Sequence, residues 1–283
     1  MLPSIEGFWS FVQERELIRI RKESGNPPPW TNDLILQDYH FCNIRRADDF
    51  GTRWYVNLMS PKPRWGFREV LWRTMLYRLV NNIKWFNEVS LFGYGGWGRN
   101  RDKWVQRIMD APKPHSPAYI VLQTLHVTDR KTQLIKVLDE LYDWFRYGNG
   151  DKQIQNCSAL EEVWKTLQQP HGIGPFIALQ VFRDLLLIGA LPFKENDFTY
   201  LGPGAQLGIH MLNSLDDWGK TAPSSYASMY RFCEALHANQ PERIQPLVLG
   251  DIEHCCCEYA KYIKFSRGEG RRRRYKPHVQ NLA

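Results

Sequence analysis

No stretch of this 283-residue chain approaches the ~18 continuous apolar residues of a membrane span, so no bilayer crossing is expected. The first 25 residues lack the basic and apolar regions of a secretory leader and read instead as an amphipathic helix. Cys-x-x-Cys pairs are missing too. The 6 cysteines are Cys42, Cys157, Cys233 and the run Cys255, Cys256, Cys257, a poor disulfide framework that points to a reducing compartment. His254 stands beside that run, but ligands one residue apart diverge around a helix, so no metal is expected there. The absence of a Gly-x-x-x-x-Gly-Lys-Ser/Thr loop excludes a self-contained P-loop kinase. Strand signals are sparse, and no hairpin spacing of a β fold appears.

What the chain does have is helical periodicity, aromatic side chains and positive charge. Aromatics make up 13% of the residues, with 11 tryptophans, and the formal net charge is +7. That balance favours a polyanionic partner and says nothing of fold. Apolar residues recur at three-and-four spacing through residues 33–59 and again through 67–89. A helix over 128–148 begins at Thr128 or Asp129 as N-cap and ends at Gly148. Further helices are predicted at 158–168, 175–187, 203–213, 223–238 and 248–263. Loops are predicted at 25–30, 59–66, 91–100, 110–117 and 147–156, where glycine, proline and polar residues collect. The fold class is mostly α. The end of the chain, "SRGEGRRRRYKPHVQNLA", carries Arg271, Arg272, Arg273 and Arg274 in succession and reads as a flexible basic tail over 267–283.

The stretch "HGIGPFIALQVFRD", His171 to Asp184, joins a Gly-x-Gly turn to an apolar helix. Proline suits a first helical turn, and any loop leading into a helix uses glycine. The same arrangement also lets backbone N–H groups approach a phosphate with no side chain in the way. With a helix before it, this is helix, hairpin, helix, which clamps one phosphate of a duplex without reading bases. Downstream, "KENDFTYLGPGAQLG" places Asp197 beyond the second hairpin helix and opens another glycine-rich helix start at Gly202 and Gly204.

Hairpin, helix, loop and aspartate in this order resemble the helix-hairpin-helix DNA glycosylase superfamily. The lysine that lyase-type members carry just after the hairpin is replaced here by Pro175-Phe176, and a cysteine ladder for an iron–sulfur cluster is absent. A closer resemblance covers most of the chain. "WTNDLILQDYHFCNIRRADDFGTRW", "LYRLVN", "HGIGPFIALQVFRDL", "NDFTYLGPGAQLG" and "DIEHCCCEYAKY" are similar to a glycosylase-derived group of bacteriophages with hypermodified thymine. That group contains the thymine-pyrophosphorylases, or amino acid:DNA transferases, and the helical domain of 5-hydroxymethyluracil DNA kinases. The resemblance implies one glycosylase-like helical domain over 1–266, with two lobes flanking a DNA cleft as one form of it.

It also implies double-stranded DNA carrying modified thymine as partner, a free amino acid or amine as co-substrate, and the cytoplasm of an infected bacterial host as location. In the transferase activity, pyrophosphate leaves the 5-methylene group of thymine and an amine replaces it. The base must leave the stack for that chemistry, and Tyr39, Trp54, Trp72, Trp85, Trp97 and Tyr200 are the candidates for packing against it. Arg45, Arg46, Arg53 and Arg78 are expected around the pyrophosphate, since guanidinium groups suit bidentate phosphate contacts. Asn43, Asp49 and Trp30 complete the expected substrate set. Asp197 is expected to stabilise positive character on the exocyclic carbon or to accept a proton, with His171 and His254 as further bases. Gly172, Gly174, Gly202, Gly204 and Arg271 to Arg274 are the expected DNA contacts. No resident cofactor is expected, although a divalent cation bridging the pyrophosphate is chemically sensible. Two alternatives stand beside transfer: a helical DNA-binding domain serving a separate kinase, and a base-excising glycosylase.

Overall fold

A computed structural model describes residues 3–60, 65–89, 93–111, 129–213, 225–244 and 246–269. Among them are thirteen α-helices, a 3-10 turn at Arg46–Asp48 and no strand. The chain divides into two compact units, one from Met1–Asp49 with Leu201–Ala283, the other from Phe50–Tyr200. The first unit opens with α1 (Ile5–Glu23) and α2 (Leu34–Asp38). The second holds α3 (Phe50–Met59), α4 (Phe67–Val80), α5 (Ile83–Val89), α6 (Gly93–Asp110), α7 (Arg130–Arg146), α8 (Gly150–Gln155), α9 (Leu160–Thr166) and α10 (Pro175–Leu187). The chain then returns to the first unit with α11 (Pro203–Asn213), α12 (Tyr226–Ala238) and α13 (Leu249–Ser266).

In the first unit α13 is the spine. Its Leu249, Ile252, Cys255, Cys256, Tyr259 and Ile263 are buried, and Phe8 of α1 meets Tyr259 edge-on with ring centroids 5.5 Å apart. Two glycines one turn apart bring α11 onto this helix. A Cβ at Gly208 would lie 2.1 Å from the Cys256 carbonyl oxygen, and one at Gly204 would lie 2.4 Å from Cys257 Sγ. In the second unit α4 is buried at every position from Leu71 to Val80, as a helix surrounded by protein must be. Trp72, Trp85 and Trp97 belong to this core. These three therefore leave the set of aromatics available for stacking on a base.

The predicted helices at 175–187 and 203–213 coincide with α10 and α11, and Asp129 caps α7 by accepting from the N–H groups of Lys131 and Thr132. Four regions differ. Residues 33–59 do not form continuous helix: α2 stops at Asp38, and the chain runs extended before the 3-10 turn and α3. Residues 67–89 split at Asn81, whose left-handed backbone (φ 45°) ends α4 before α5 begins. The glycine-rich loop predicted at 91–100 is helical from Gly93, with a non-helical kink only at Asn100 (φ −136°, ψ 38°). Tertiary packing overrides propensity there. Trp97 is buried and donates its indole N–H to Asp139 at 3.2 Å, and a Cβ at Gly98 would sit 2.2 Å from the Tyr142 hydroxyl. The loop predicted at 147–156 likewise contains α8, whose Gly150 lies against the Trp144 ring. No helix among the described residues is long and apolar enough to cross a membrane.

Candidate functional site

The hairpin of the second unit is rigid and outward-facing. Ile173 is buried and its N–H donates to the Pro170 carbonyl at 3.1 Å, so the turn is anchored from its centre. Gly172 has φ +93°, a conformation that disfavours side chains, and a Cβ there would lie 2.4 Å from Val137 Cγ2. Gly174 is different: its φ of −89° is ordinary and nothing lies within 4 Å of its Cβ position. No side chain caps α10 at Gly174, and Pro175 occupies the first turn. His171 and Pro175 are exposed, and Phe176 is 46% exposed. The turn thus offers open backbone at Gly174.

Trp164, which the sequence reading overlooked, holds this hairpin to the segment after Asp197. Its indole N–H donates to the Pro175 carbonyl at 3.0 Å, and its ring stacks on Tyr200 with centroids 4.9 Å apart and planes at 21°. Of the six expected stacking aromatics, Tyr200 is the half-buried one on this segment. Asp197 is exposed and closes its own turn, Oδ2 accepting from the Lys194 N–H at 2.8 Å. Its other carboxylate oxygen has no partner among the described residues.

Arg78 departs from its expected role. Its side chain is 2% exposed, its guanidinium grips both oxygens of buried Asp184, and Nη2 donates to Thr52 at 3.1 Å. An arginine spent on a buried pair cannot receive a departing anion, so Arg78 is a core residue. Arg183 and Asp184, the two charged residues of the largely apolar α10, were the sequence signal for such a partner. Arg53, by contrast, is exposed.

In the first unit the motif stretches 30–49 and 251–262 are brought together by hydrogen bonds. Asp251 Oδ1 accepts from the Arg46 N–H at 3.1 Å, and Glu258 Oε2 accepts from the Cys42 N–H at 3.0 Å. Lys261 Nζ reaches the His40 carbonyl at 2.5 Å and Glu258 at 3.2 Å, while the Tyr262 hydroxyl donates to Asp33 at 2.6 Å. Buried Arg15 donates to the Phe41 and Cys42 carbonyls. It was missed, although it falls in the apolar phase of α1 between Val12 and Ile18. Burial pushes the Glu258 carboxyl up, but Lys261, His254 and the Cys42 N–H outweigh it and hold the group below its ordinary value.

The segment so held presents Arg45 and Arg46 half-buried. Arg45 pairs with Glu16 at 2.8 Å, which Arg19 also holds at 2.7 Å; Arg46 pairs with Asp49 at 2.8 Å. Asn43 donates its amide to the Asp48 carbonyl at 2.9 Å. Both arginines are thus pre-oriented by carboxylates that an incoming anion would have to displace. His254 is half-buried on α13. Gly202 and Gly204 do not serve as open phosphate contacts: the Gly202 N–H donates to Glu253 at 3.1 Å, and Gly204 is a packing glycine against α13. The described residues contain no cluster of three His, Cys, Asp or Glu side chains able to hold a metal, and burial raises the Cys255 and Cys256 thiols. Arg271 to Arg274 lie outside the described residues.

The family model of the 5-hmdU DNA kinase, helical domain, matches residues 3–272. The chain belongs to that family. A 5-hmdU DNA kinase of Bacillus phage SP10 is 22% identical over 295 aligned residues, covering 91% of this chain. The chain spans only 44% of that kinase's length. No solved structure matches. Of the two activities implied by the phage resemblance, the family found is the kinase-associated one.

Proposed function

We propose that this chain is a DNA-holding helical module of thymine hypermodification, presenting duplex DNA that carries 5-hydroxymethyluracil to phosphoryl-transfer chemistry supplied from outside these residues. The observation that carries it is the family match over residues 3–272. The hairpin supports it physically, because backbone N–H groups at an open glycine turn suit a phosphate and carry no sequence information. The positive net charge and the arginines at 271–274 supply the sequence-independent attraction that DNA binding needs.

A second reading is transfer at the base itself, and the open carboxylate oxygen of Asp197 favours it. As pyrophosphate leaves the 5-methylene carbon, Asp197 would stabilise the positive character left behind or take a proton from the incoming ammonium. Within the same unit as Asp197, Arg53 would hold the departing anion, a divalent cation would enter with it, and His171 would serve as a further base. Incubating the chain with pyrophosphorylated DNA and mixed amino acids, followed by nucleoside mass spectrometry, separates the readings. DNA bound and unchanged supports the module, conjugated thymidine supports transfer, and released free base supports excision. Failure to retain a 5-hydroxymethyluracil duplex in a gel-shift assay rejects the module.

A further inference from the structure

A second surface of the Phe50–Tyr200 unit lies across α7 from the hairpin. Val137 and Trp144 face the hairpin: Gly172 packs on the first, and the second donates its indole N–H to Gln169 at 3.0 Å. Tyr142 and Arg146 stand further along α7, where about 3.6 residues per turn puts them on the opposite side of the helix from Val137. There they join a ladder of flat groups. The Arg146 guanidinium lies 5.3 Å from the Tyr147 ring centroid and 5.9 Å from that of Tyr142, and Nη1 donates to the Tyr142 hydroxyl at 3.2 Å. Tyr142 stacks on Tyr94 of α6 with centroids 5.1 Å apart and planes at 27°, and the Arg68 guanidinium covers Tyr94 at 5.4 Å. The ladder ends in Tyr147, which is 70% exposed just past the last turn of α7.

Charge and surroundings decide what such a ladder takes. Arg68, Arg73, Arg99, Arg101 and Arg146 are balanced in number by Glu69, Asp102, Asp139, Asp143 and Asp151, so this surface does not draw a duplex by net charge. Within it, Arg68, Arg73 and Arg101 are held in ion pairs by Asp151, Glu69 and Asp139, whereas Arg146 pairs with no carboxylate among the described residues. What the ladder offers is a flat face beside one uncommitted guanidinium. A nucleobase stacks on such a face whatever its identity. In a duplex each base face is covered by its neighbours; a single strand leaves it open. A protein partner would meet Tyr147 among exposed Asp143, Arg146, Gly148 and Asn149, without the contiguous apolar patch of a docking surface. We infer that the ladder binds single-stranded DNA, a base stacking on Tyr147 while Arg146 takes the adjoining phosphate. The inference rests on the proposed function only in its choice of DNA, and it adds a strand-capturing surface apart from the hairpin.

The test is fluorescence anisotropy of the full chain with labelled oligo(dT), and with a labelled duplex of the same length, over a salt series. Wild-type chain is expected to bind oligo(dT). Tyr147→Ala should weaken that binding by about fivefold to 150-fold, the range for losing one base stack, and leave duplex affinity unchanged. The loss should be the same factor at every salt concentration, because a neutral ring releases no counterion. Tyr147→Trp should retain binding, and Arg146→Gln should weaken it and flatten the single-strand salt slope by up to ~0.7. Both positions are exposed, and circular dichroism melts check that the variants fold. No binding of oligo(dT) by the wild-type chain, unchanged binding in folded Tyr147→Ala, or equal losses on single strand and duplex overturns the proposal. Self-association in sedimentation runs that Tyr147→Ala abolishes would make the ladder a protein contact and overturn it too. Oligo(dT) bound through Tyr147 with no duplex retained removes the duplex-holding reading and leaves this one.

Discussion

Gly172 and Gly174 sit two residues apart and do different work. Gly172 needs its freedom for the turn itself, since both φ +93° and the Val137 methyl exclude a side chain. Gly172→Ala should therefore destabilise the fold, on the order of 1–3 kcal/mol in urea melts. Gly174 has ordinary backbone and open space, so Gly174→Asp should fold normally and weaken binding to every duplex about equally. A folded Gly174→Asp with wild-type affinity in gel shifts removes the hairpin from the DNA contact. Asp197→Asn poses the sharper question. It keeps size and most of the Lys194 turn contact while removing the charge. On the transferase reading DNA binding survives and turnover of pyrophosphorylated DNA falls by roughly 10²-fold or more. On the module reading no turnover exists to lose, and binding improves slightly because one negative charge near phosphate has gone. Full activity in a stable Asp197→Asn chain would dismiss Asp197 from the mechanism.

Among the elements, α13 does most to shape the candidate site, because it fixes the backbone of residues 40–46 from a distance of some two hundred positions in sequence. Glu258 is the informative group. Its carboxyl lies below the ordinary 4.5, so the native state prefers it charged, and its contribution is present above that value and lost as pH falls through the folded-state value. Glu258→Gln should cost on the order of 1–3 kcal/mol at neutral pH, chiefly at the Lys261 and Cys42 contacts. The gap between wild type and variant in denaturant melts should shrink below about pH 4.5. A gap that stays constant with pH denies Glu258 its charged role. Local punctuation made much of the fold legible: Pro175 and Pro203 mark where α10 and α11 start, and Asp129 marks α7. Residues 93–100 were illegible because a buried Trp97, not glycine propensity, decides them. The site was legible as a set of residues and not as partners. Nothing local to Arg78 announces Asp184, and nothing local to Cys42 announces Glu258.

At the scale of the whole molecule, charge is the property that a duplex meets first. The net +7 is unevenly spread: Arg45, Arg46, Arg78 and Arg101 are paired with carboxylates, whereas residues 267–283 include four consecutive arginines with one acidic residue, Glu269. Paired arginines contribute little to long-range attraction, because each carboxylate cancels its field beyond a Debye length of ~8 Å at physiological salt. The tail is thus expected to carry much of the counterion release on binding. Deleting residues 267–283 leaves α13 complete to Ser266, so the fold should persist. Affinity for any duplex should fall, and the slope of log K against log salt should flatten by up to ~0.9 for each phosphate that the shortened chain no longer neutralises. The hairpin acts through neutral backbone, so a folded Gly174→Asp chain should change that slope by no more than its single added charge. Fluorescence anisotropy over a salt series reads both variants. An unchanged slope in the truncated chain would place the attraction on the helical units instead and leave the arginine run without a part in DNA binding.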